Sequence, residues 1–182
     1  TDLWPLVGKA RLKVLIWEVY DSALYTPSGR WQGGAPYRLS LHYLRDIPAA
    51  KLVAETEKAW KEQGRNHPRL SEWLALLVEI WPDITEGDNL AFGLTASGES
   101  AFWFNGSPIG SIDDRDFGAL FGGIWLDPDT PRPKLRAQLI GPTLGGQGVF
   151  DHGRACIGIA NERNVIRPDQ FAKAITQCGC EA

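Results

Sequence analysis

The sequence predicts an α+β fold built from an antiparallel sheet and two pairs of helices. Three observations support this prediction: period-two apolar alternation near the start, helical spacing of apolar residues in the middle, and a return of both patterns in the same order. This order differs from the regular strand and helix alternation of a parallel sheet. With 182 residues, 43% of them hydrophobic, the chain is long enough for one domain with a large core.

The first predicted strand lies in residues 10–25, where two apolar rows interleave. One row contains Leu12, Val14 and Ile16, and the other contains Leu15, Trp17 and Val19, so we expect a strand covered on both faces. A Gly- and Pro-rich break follows, and in residues 37–44 Tyr and Leu alternate with polar residues. We expect this second strand to be half-buried and to pair with the first.

Two amphipathic helices are predicted next. Residues 45–64 carry Asp46 near the N-cap, Pro48 in the first turn and Gly64 after the end. The apolar face of this helix consists of Leu52, Val53, Thr56, Ala59 and Trp60. The second helix has a stripe of Leu70, Trp73, Leu74, Leu77, Ile80 and Trp81, and the segment "PDITEGDN" ends it.

Strands and then helices are predicted again after this point. Residues 90–112 alternate with period two, and the Asn105-Gly106 pair is the strongest short signal for a hairpin turn. Residues 113–127 have helical spacing with acidic residues at the N-terminal end, where the helix dipole favours them. In this helix Gly118 and Gly122 leave one face nearly smooth. A last short helix is expected to end at Gly141.

Composition and motifs exclude several classes of function. The 19 basic and 22 acidic residues, net charge −3, form no like-charged block, so we expect no binding to nucleic acid or to an anionic membrane. The longest apolar run, residues 73–81, carries Glu79 and is far shorter than the roughly 20 residues of a membrane-spanning helix. We find no G-x-S-x-G, P-loop or dinucleotide motif.

Histidines and paired carboxylates offer no clear chemistry. The three histidines lie in unrelated contexts, and we expect neither a metal nor a cofactor. Asp113 with Asp114, and Asp127 with Asp129, lie at element boundaries, which favours capping and turn formation over acid–base catalysis.

The last part of the chain differs in composition from the rest. Residues 142–182 begin with a Gly-rich connector and contain all three cysteines. An odd count allows at most one internal pair, Cys156 with Cys178 or Cys180, and only in an oxidising compartment. The sequence starts at Thr1 and contains no Met, from which we expect that a signal peptide or other residues were removed.

The first strand carries the candidate binding residues. Arg11 and Lys13 flank the apolar rows and Tyr20 and Tyr25 follow, so a guanidinium and phenol hydroxyls could hold an anionic or carbonyl oxygen in apolar surroundings. The alternative interpretation is a solvated Arg11 and tyrosines whose rings belong to the core.

Several phrases resemble the chalcone isomerase-like superfamily, most closely its small bacterial members. They are "GKARLKVLIWEVYDSALYTPSG", "LSLHYLRDIPAAKLVAET", "WPDITEGDNL" and "FNGSPIGSIDDRDFGALFGGIWLDPDTPRPKLRAQLIG", and they cover most of residues 6 to 141. The resemblance implies an open-faced β-sandwich, a large antiparallel sheet with helices layered on one face. It also implies a domain of residues 1–141, with residues 142–182 as an unassigned extension.

The resemblance implies three kinds of function: ring closure of a chalcone to a flavanone, fatty-acid binding, and roles not yet known. Ring closure needs a cation and hydrogen-bond donors, which the family supplies from an Arg and a Thr on the first hairpin and from a Tyr and an Asn in the first helical region. Here Arg11 lies about one residue out of register, Tyr20 fills the Thr position, and no Tyr occurs between Asp46 and Asn66.

We therefore expect no chalcone isomerase activity, and we hypothesise a small apolar or fatty-acid-like ligand between sheet and helices. The residues hypothesised to contact it are Arg11, Trp17, Tyr20 and Tyr25. One alternative is a structural or interaction protein of the cell envelope with a filled core, which the aromatic content and the smooth face of Gly118 and Gly122 suggest. The other alternative is a chalcone-type intramolecular lyase. Because bacterial relatives are often exported, we expect a periplasmic location, or otherwise a cytoplasmic one.

Overall fold

A computed structural model of the chain describes residues 4–141. Six antiparallel strands form one sheet in sequence order. The strands are β1 (Leu6–Val14), β2 (Trp17–Tyr25), β3 (Tyr37–Tyr43), β4 (Asn89–Leu94), β5 (Ser100–Phe104) and β6 (Ser107–Gly110). The helices are α1 (Ala49–Glu62), α2 (Leu70–Ile80), α3 (Arg115–Leu126) and α4 (Pro133–Ile140). The predicted α+β class, with an antiparallel open sheet, is confirmed.

The sheet has a covered face, against which the helices pack, and an open face. Buried side chains of the covered face include Leu12, Tyr20, Leu24, Leu39, Tyr43, Phe92 and Phe102. On the open face Arg11, Asp21 and His42 lie side by side on three neighbouring strands. Alternate residues of each strand point to opposite faces, so one row of each strand contacts the helices and the other faces outward.

Residues 10–25 form a hairpin, so the prediction of one strand covered on both faces was wrong. Val14 pairs with Trp17, and Leu15 and Ile16 form the turn between β1 and β2. The turn contains no Gly, Asn, Asp or Pro, the residues that normally mark a two-residue turn. No local signal in the sequence therefore separates the two strands.

The other elements follow their sequence patterns closely. α1 and α2 bury the predicted apolar faces, including Trp60 and Trp73. Asn105 and Gly106 form the turn between β5 and β6 with φ of 47° and 86°. At the start of α1, however, the Ala49 N–H donates to the Asp83 carboxylate at 2.8 Å, and Asp46 instead accepts from the backbone of the loop before β4.

Two glycines allow α3 to lie close to the sheet. A Cβ atom at Gly118 would overlap the Leu94 side chain, and one at Gly122 would overlap the Tyr37 hydroxyl. The smooth face predicted for this helix is therefore buried against β3 and β4. It is not available as a surface for a protein partner, which removes one of the two reasons for expecting an interaction protein.

Aromatic rings fill the centre of the layer between the sheet and the helices. Phe121 of α3 lies 4.8 Å from Phe92, 5.4 Å from Phe102 and 5.4 Å from Phe117, measured between ring centroids. Trp81, directly after α2, lies 5.6 Å from Phe102 in an edge-to-face arrangement, which is a favoured geometry. Because side chains occupy the centre, a ligand site in this layer must lie toward one end of the sheet.

Replacing Gly122 by Ala is expected to lower the free energy of unfolding by about 1–3 kcal/mol, the usual cost of overpacking, because the new methyl group would overlap Tyr37. Urea denaturation measures the change. Gly34→Ala is a matched control, since no atom lies within 4 Å of a Cβ added there. Tyr37→Phe in the Gly122→Ala background is expected to recover part of the loss. An unchanged midpoint for Gly122→Ala would contradict the close approach of α3.

Candidate functional site

A group of polar atoms lies within the covered layer, where β2 and β3 meet α3. Tyr20 of β2 and Tyr43 of β3 are direct neighbours in the sheet, and their rings meet edge to face at 5.7 Å. Trp125 of α3 donates a hydrogen bond from Nε1 to the Tyr20 hydroxyl at 2.9 Å. The tyrosines are deeply buried, with 7% and 3% of their surfaces exposed. These three residues are called the tyrosine cluster.

Strand register and helix position bring the tyrosine cluster together. Residues opposite each other on adjacent strands point to the same face, so the pairing of Tyr20 with Tyr43 places both on the covered side. Trp125 lies three residues after Gly122, whose missing side chain allows α3 to approach the sheet. The indole of Trp125 can therefore reach the phenol of Tyr20 across the layer.

The hydroxyl protons of the tyrosine cluster have no acceptor within residues 4–141. There the Tyr43 hydroxyl makes no hydrogen bond, and the Tyr20 hydroxyl accepts from Trp125 without donating to another atom. Burial raises the pKa of Tyr20 to about 12, against the opposing effects of Trp125 and of the Arg132 charge, and burial also raises the pKa of Tyr43. Both groups are thus neutral donors at physiological pH.

A positive charge lies near the tyrosine cluster. Arg132 lies directly before α4, and its charge lowers the pKa of Tyr20. The pKa of Glu55 in α1 is lowered mainly by the hydrogen bond from Lys51 and, to a smaller extent, by the Arg132 charge. Arg132 is half-buried, and within residues 4–141 its guanidinium makes no ion pair. The Arg132 charge therefore acts on Tyr20 and also on Glu55.

Arg11 does not join Tyr20, contrary to the expectation that the two converge. It lies on the open face, where its guanidinium binds Asp21 at 2.6 Å and Glu18 at 2.8 Å. The reason is the period of the strand: residues in successive positions point to opposite faces, and Arg11 is opposite Asp21 rather than Tyr20. Its charge is directed away from the layer between sheet and helices.

Trp17 and Tyr25 also lie apart from the tyrosine cluster. Trp17 is at the turn between β1 and β2, 56% exposed, with the Arg45 guanidinium 4.9 Å from its ring centroid. Tyr25 is half-buried at the other end of β2, opposite Arg38. Of the four residues predicted to form one site, only Tyr20 therefore contacts the layer where a ligand was expected.

Sequence reasoning missed three residues that the structure places at this site: Tyr43, Trp125 and Arg132. Tyr43 could have been found, since pairing the second strand with the first by alternation puts Tyr residues opposite each other. Trp125 lies within the helix predicted for residues 113–127, but its hydrogen bond depends on how α3 crosses the sheet. No local signal distinguishes Arg132 from the other surface arginines.

Three of the four paired carboxylates, Asp114, Asp127 and Asp129, have structural roles. Asp114 caps α3 by accepting from the Asp116 N–H, and it also pairs with Arg69. Asp127 and Asp129 both bind the Arg65 guanidinium, which links the segment after α1 to the end of α3. These carboxylates stabilise helix ends and are not directed toward the tyrosine cluster.

The described part of the chain contains neither a metal-binding cluster nor a membrane-spanning helix. No group of three His, Cys, Asp or Glu side chains within residues 4–141 is placed to hold a metal ion. No helix in the same range is both long and apolar enough to cross a bilayer. The predicted pairing of Cys156 with Cys178 or Cys180 lies outside the described residues.

Comparison with known proteins identifies the family of this chain. The family described as chalcone isomerase-like matches residues 6–141. An uncharacterized protein of Haemophilus influenzae is 26% identical over 141 residues, covering 77% of this chain and 69% of that protein. The crystal structure of a fatty-acid binding protein from Arabidopsis thaliana has a TM-score of 0.58 at 10% identity, covering 77% of this chain and 88% of that one. The chain belongs to the chalcone isomerase-like family.

Raising the pH above about 10 is expected to destabilise the protein through its buried tyrosines. Tyr20 has a pKa of about 12 in the folded chain, above its ordinary value of 10.0, so the folded state keeps a proton that the unfolded chain releases. This contribution to stability is complete below pH 10.0 and is lost as the pH rises through about 12. Urea unfolding at neutral pH and at about pH 11 measures the loss. Tyr20→Phe is expected to show a weaker dependence, and equal dependence in both proteins would contradict the assignment.

Proposed function

We propose that this protein binds a small apolar ligand of the fatty-acid type between the sheet and the helices, with the polar head of the ligand at the tyrosine cluster. The observation that carries the proposal is the pair of adjacent tyrosines, Tyr20 and Tyr43, whose hydroxyl protons have no acceptor in residues 4–141. A ligand oxygen beside the two rings would accept from both.

The charge near the tyrosine cluster favours an acidic head group over a neutral one. Arg132 supplies a positive charge near Tyr20, and a carboxylate offers acceptor positions for both hydroxyls together with the opposite charge. Hydrogen bonds to a charged group contribute about 1.5–3 kcal/mol, more than those between neutral groups.

The residues around the tyrosine cluster favour an apolar body for the same ligand. Leu12 is opposite Tyr20 on β1, and Leu41 lies two residues before Tyr43 on the covered face of β3. Both leucines are buried. A hydrocarbon chain would therefore leave the tyrosine cluster along apolar side chains. The likeness in fold to a fatty-acid binding protein supports the same ligand class.

We propose binding rather than chalcone ring closure as the function of this site. Ring closure requires a cation and hydrogen-bond donors that face the same substrate. Arg11, which the family resemblance pointed to as the cation, is bound to Asp21 and Glu18 on the open face. We expect no loss of chalcone absorbance above the uncatalysed rate, and turnover by the purified protein would overturn this part of the proposal.

Tyr43→Phe is expected to weaken the binding of a long-chain fatty acid about 10-fold, because it removes one hydrogen bond to the carboxylate and leaves the ring in place. Arg132→Gln is expected to weaken it as well, through loss of the nearby charge. Native mass spectrometry with a series of fatty acids of different length measures both effects and identifies the preferred chain length.

Arg11→Gln is the matched control, since it removes an arginine charge from the open face. Binding by this variant is expected to equal that of the unmodified protein. The absence of any fatty-acid complex at micromolar ligand would refute the proposed function. Equal affinity for the unmodified protein and Tyr43→Phe would refute the assignment of the head group to the tyrosine cluster.

A further inference from the structure

The turn between β1 and β2 exposes a run of large apolar side chains. Leu15 is 92% exposed, Ile16 is 85% exposed, and the paired residues Val14 and Trp17 on either side are also exposed. Elsewhere in residues 4–141, large apolar side chains with such exposure are isolated ones, Leu6 and Val78. The four consecutive residues from Val14 to Trp17 are called the apolar tip.

The fold does not require these residues at the apolar tip. Leu15 has a φ of 56°, in the left-handed region that favours Gly and Asn and is unfavourable for a bulky side chain. The turn between β5 and β6 has the same length and uses Asn105 and Gly106. Leu15 and Ile16 thus bury little surface within residues 4–141, and Leu15 also has an unfavourable backbone conformation. The presence of large apolar residues at this turn therefore needs another explanation.

One cation beside the apolar tip, Arg45, has no carboxylate partner within residues 4–141. β1 carries Lys9, Arg11 and Lys13, whereas the facing part of β2 carries Glu18 and Asp21. Arg45 adds a further cation and lies over the ring of Trp17. Within residues 4–141 Arg11 and Lys13 are paired with Glu18 and Asp21, whereas Arg45 makes no ion pair and can meet an anionic lipid head group.

We propose that the apolar tip inserts into the surface of a lipid bilayer that contains anionic lipid. Leu15 and Ile16 would enter the boundary between head groups and acyl chains, and Trp17 with Arg45 would lie at the head groups, where aromatic and long cationic side chains are favoured. A convex turn with nearly fully exposed side chains needs no matching groove, which favours a fluid lipid surface over a protein partner.

The position of the apolar tip also relates it to the tyrosine cluster. Tyr20 lies three residues after Trp17 on the same strand, so the proposed ligand site is at the end of the sheet that would face the bilayer. An apolar ligand could then pass between membrane and protein without crossing bulk water. Insertion of the apolar tip does not depend on this ligand, and it is expected even if the tyrosine cluster binds none.

Flotation of the full chain with vesicles of phosphatidylcholine and phosphatidylglycerol, in a two-to-one ratio, tests the proposal. We expect the protein to float with the vesicles. The double variant Leu15→Asn with Ile16→Gly gives the turn the same residues as the turn between β5 and β6. Its partition coefficient is expected to fall roughly 100-fold, about tenfold for each large side chain removed.

Two controls separate the role of the apolar tip from general effects. Val78→Ser removes an exposed apolar side chain from α2, and we expect this variant to float like the unmodified protein. The double variant is expected to unfold at about the same urea concentration, because Asn suits the left-handed conformation of residue 15 and the Ile16 side chain is 85% exposed. If the double variant is folded but does not float, it has lost membrane insertion.

Three results would overturn the proposal. The first is unmodified protein that stays below the vesicles, and the second is a double variant that floats equally well. The third is a dimer that forms without vesicle binding and that the double variant abolishes, as measured by size-exclusion chromatography. This result would show that the apolar tip binds a second copy of the chain. Flotation without fatty-acid binding in native mass spectrometry would refute the ligand proposal and leave membrane insertion standing.

Discussion

The close contact between the glycine face of α3 and strands β3 and β4 is the constraint on which the covered layer depends. Because Gly118 and Gly122 carry no side chain, the helix backbone lies near Leu94 and Tyr37. This distance lets Phe117 and Phe121 reach the aromatic side chains of the sheet and carries Trp125 to Tyr20. A helix held farther out by larger residues would lose the ring contacts and the hydrogen bond together.

The two faces of the sheet contribute differently to stability and function. The covered face buries aromatic and aliphatic side chains, which is the dominant favourable contribution to folding. On the open face, Arg11 makes solvent-exposed ion pairs with Glu18 and Asp21, and such pairs typically contribute about 0–1 kcal/mol. The Tyr20 and Tyr43 hydroxyls are polar groups on this covered face, and within residues 4–141 neither of them donates a hydrogen bond.

The hairpin of β1 and β2 supplies parts of both proposed interaction sites. One face of β2 contributes Tyr20 to the tyrosine cluster, and the turn exposes Leu15 and Ile16 at the same end of the sheet. Arg45, directly after β3, covers Trp17, while Tyr43 at the end of β3 faces Tyr20. A ligand site and a membrane-inserting turn would thus be held in a fixed relation by the register of three strands.

The sequence by itself determined the α+β class, the four helices with their buried faces, and the turn at Asn105-Gly106, because these depend on local periodicity and turn residues. It did not reveal the turn at Leu15-Ile16, where no turn residue interrupts the apolar pattern. It also did not assign Arg11 and Tyr20 to opposite faces or bring Tyr43, Trp125 and Arg132 together. Only the tertiary structure decided these, since strand register and the approach of α3 set which distant side chains meet across the layer.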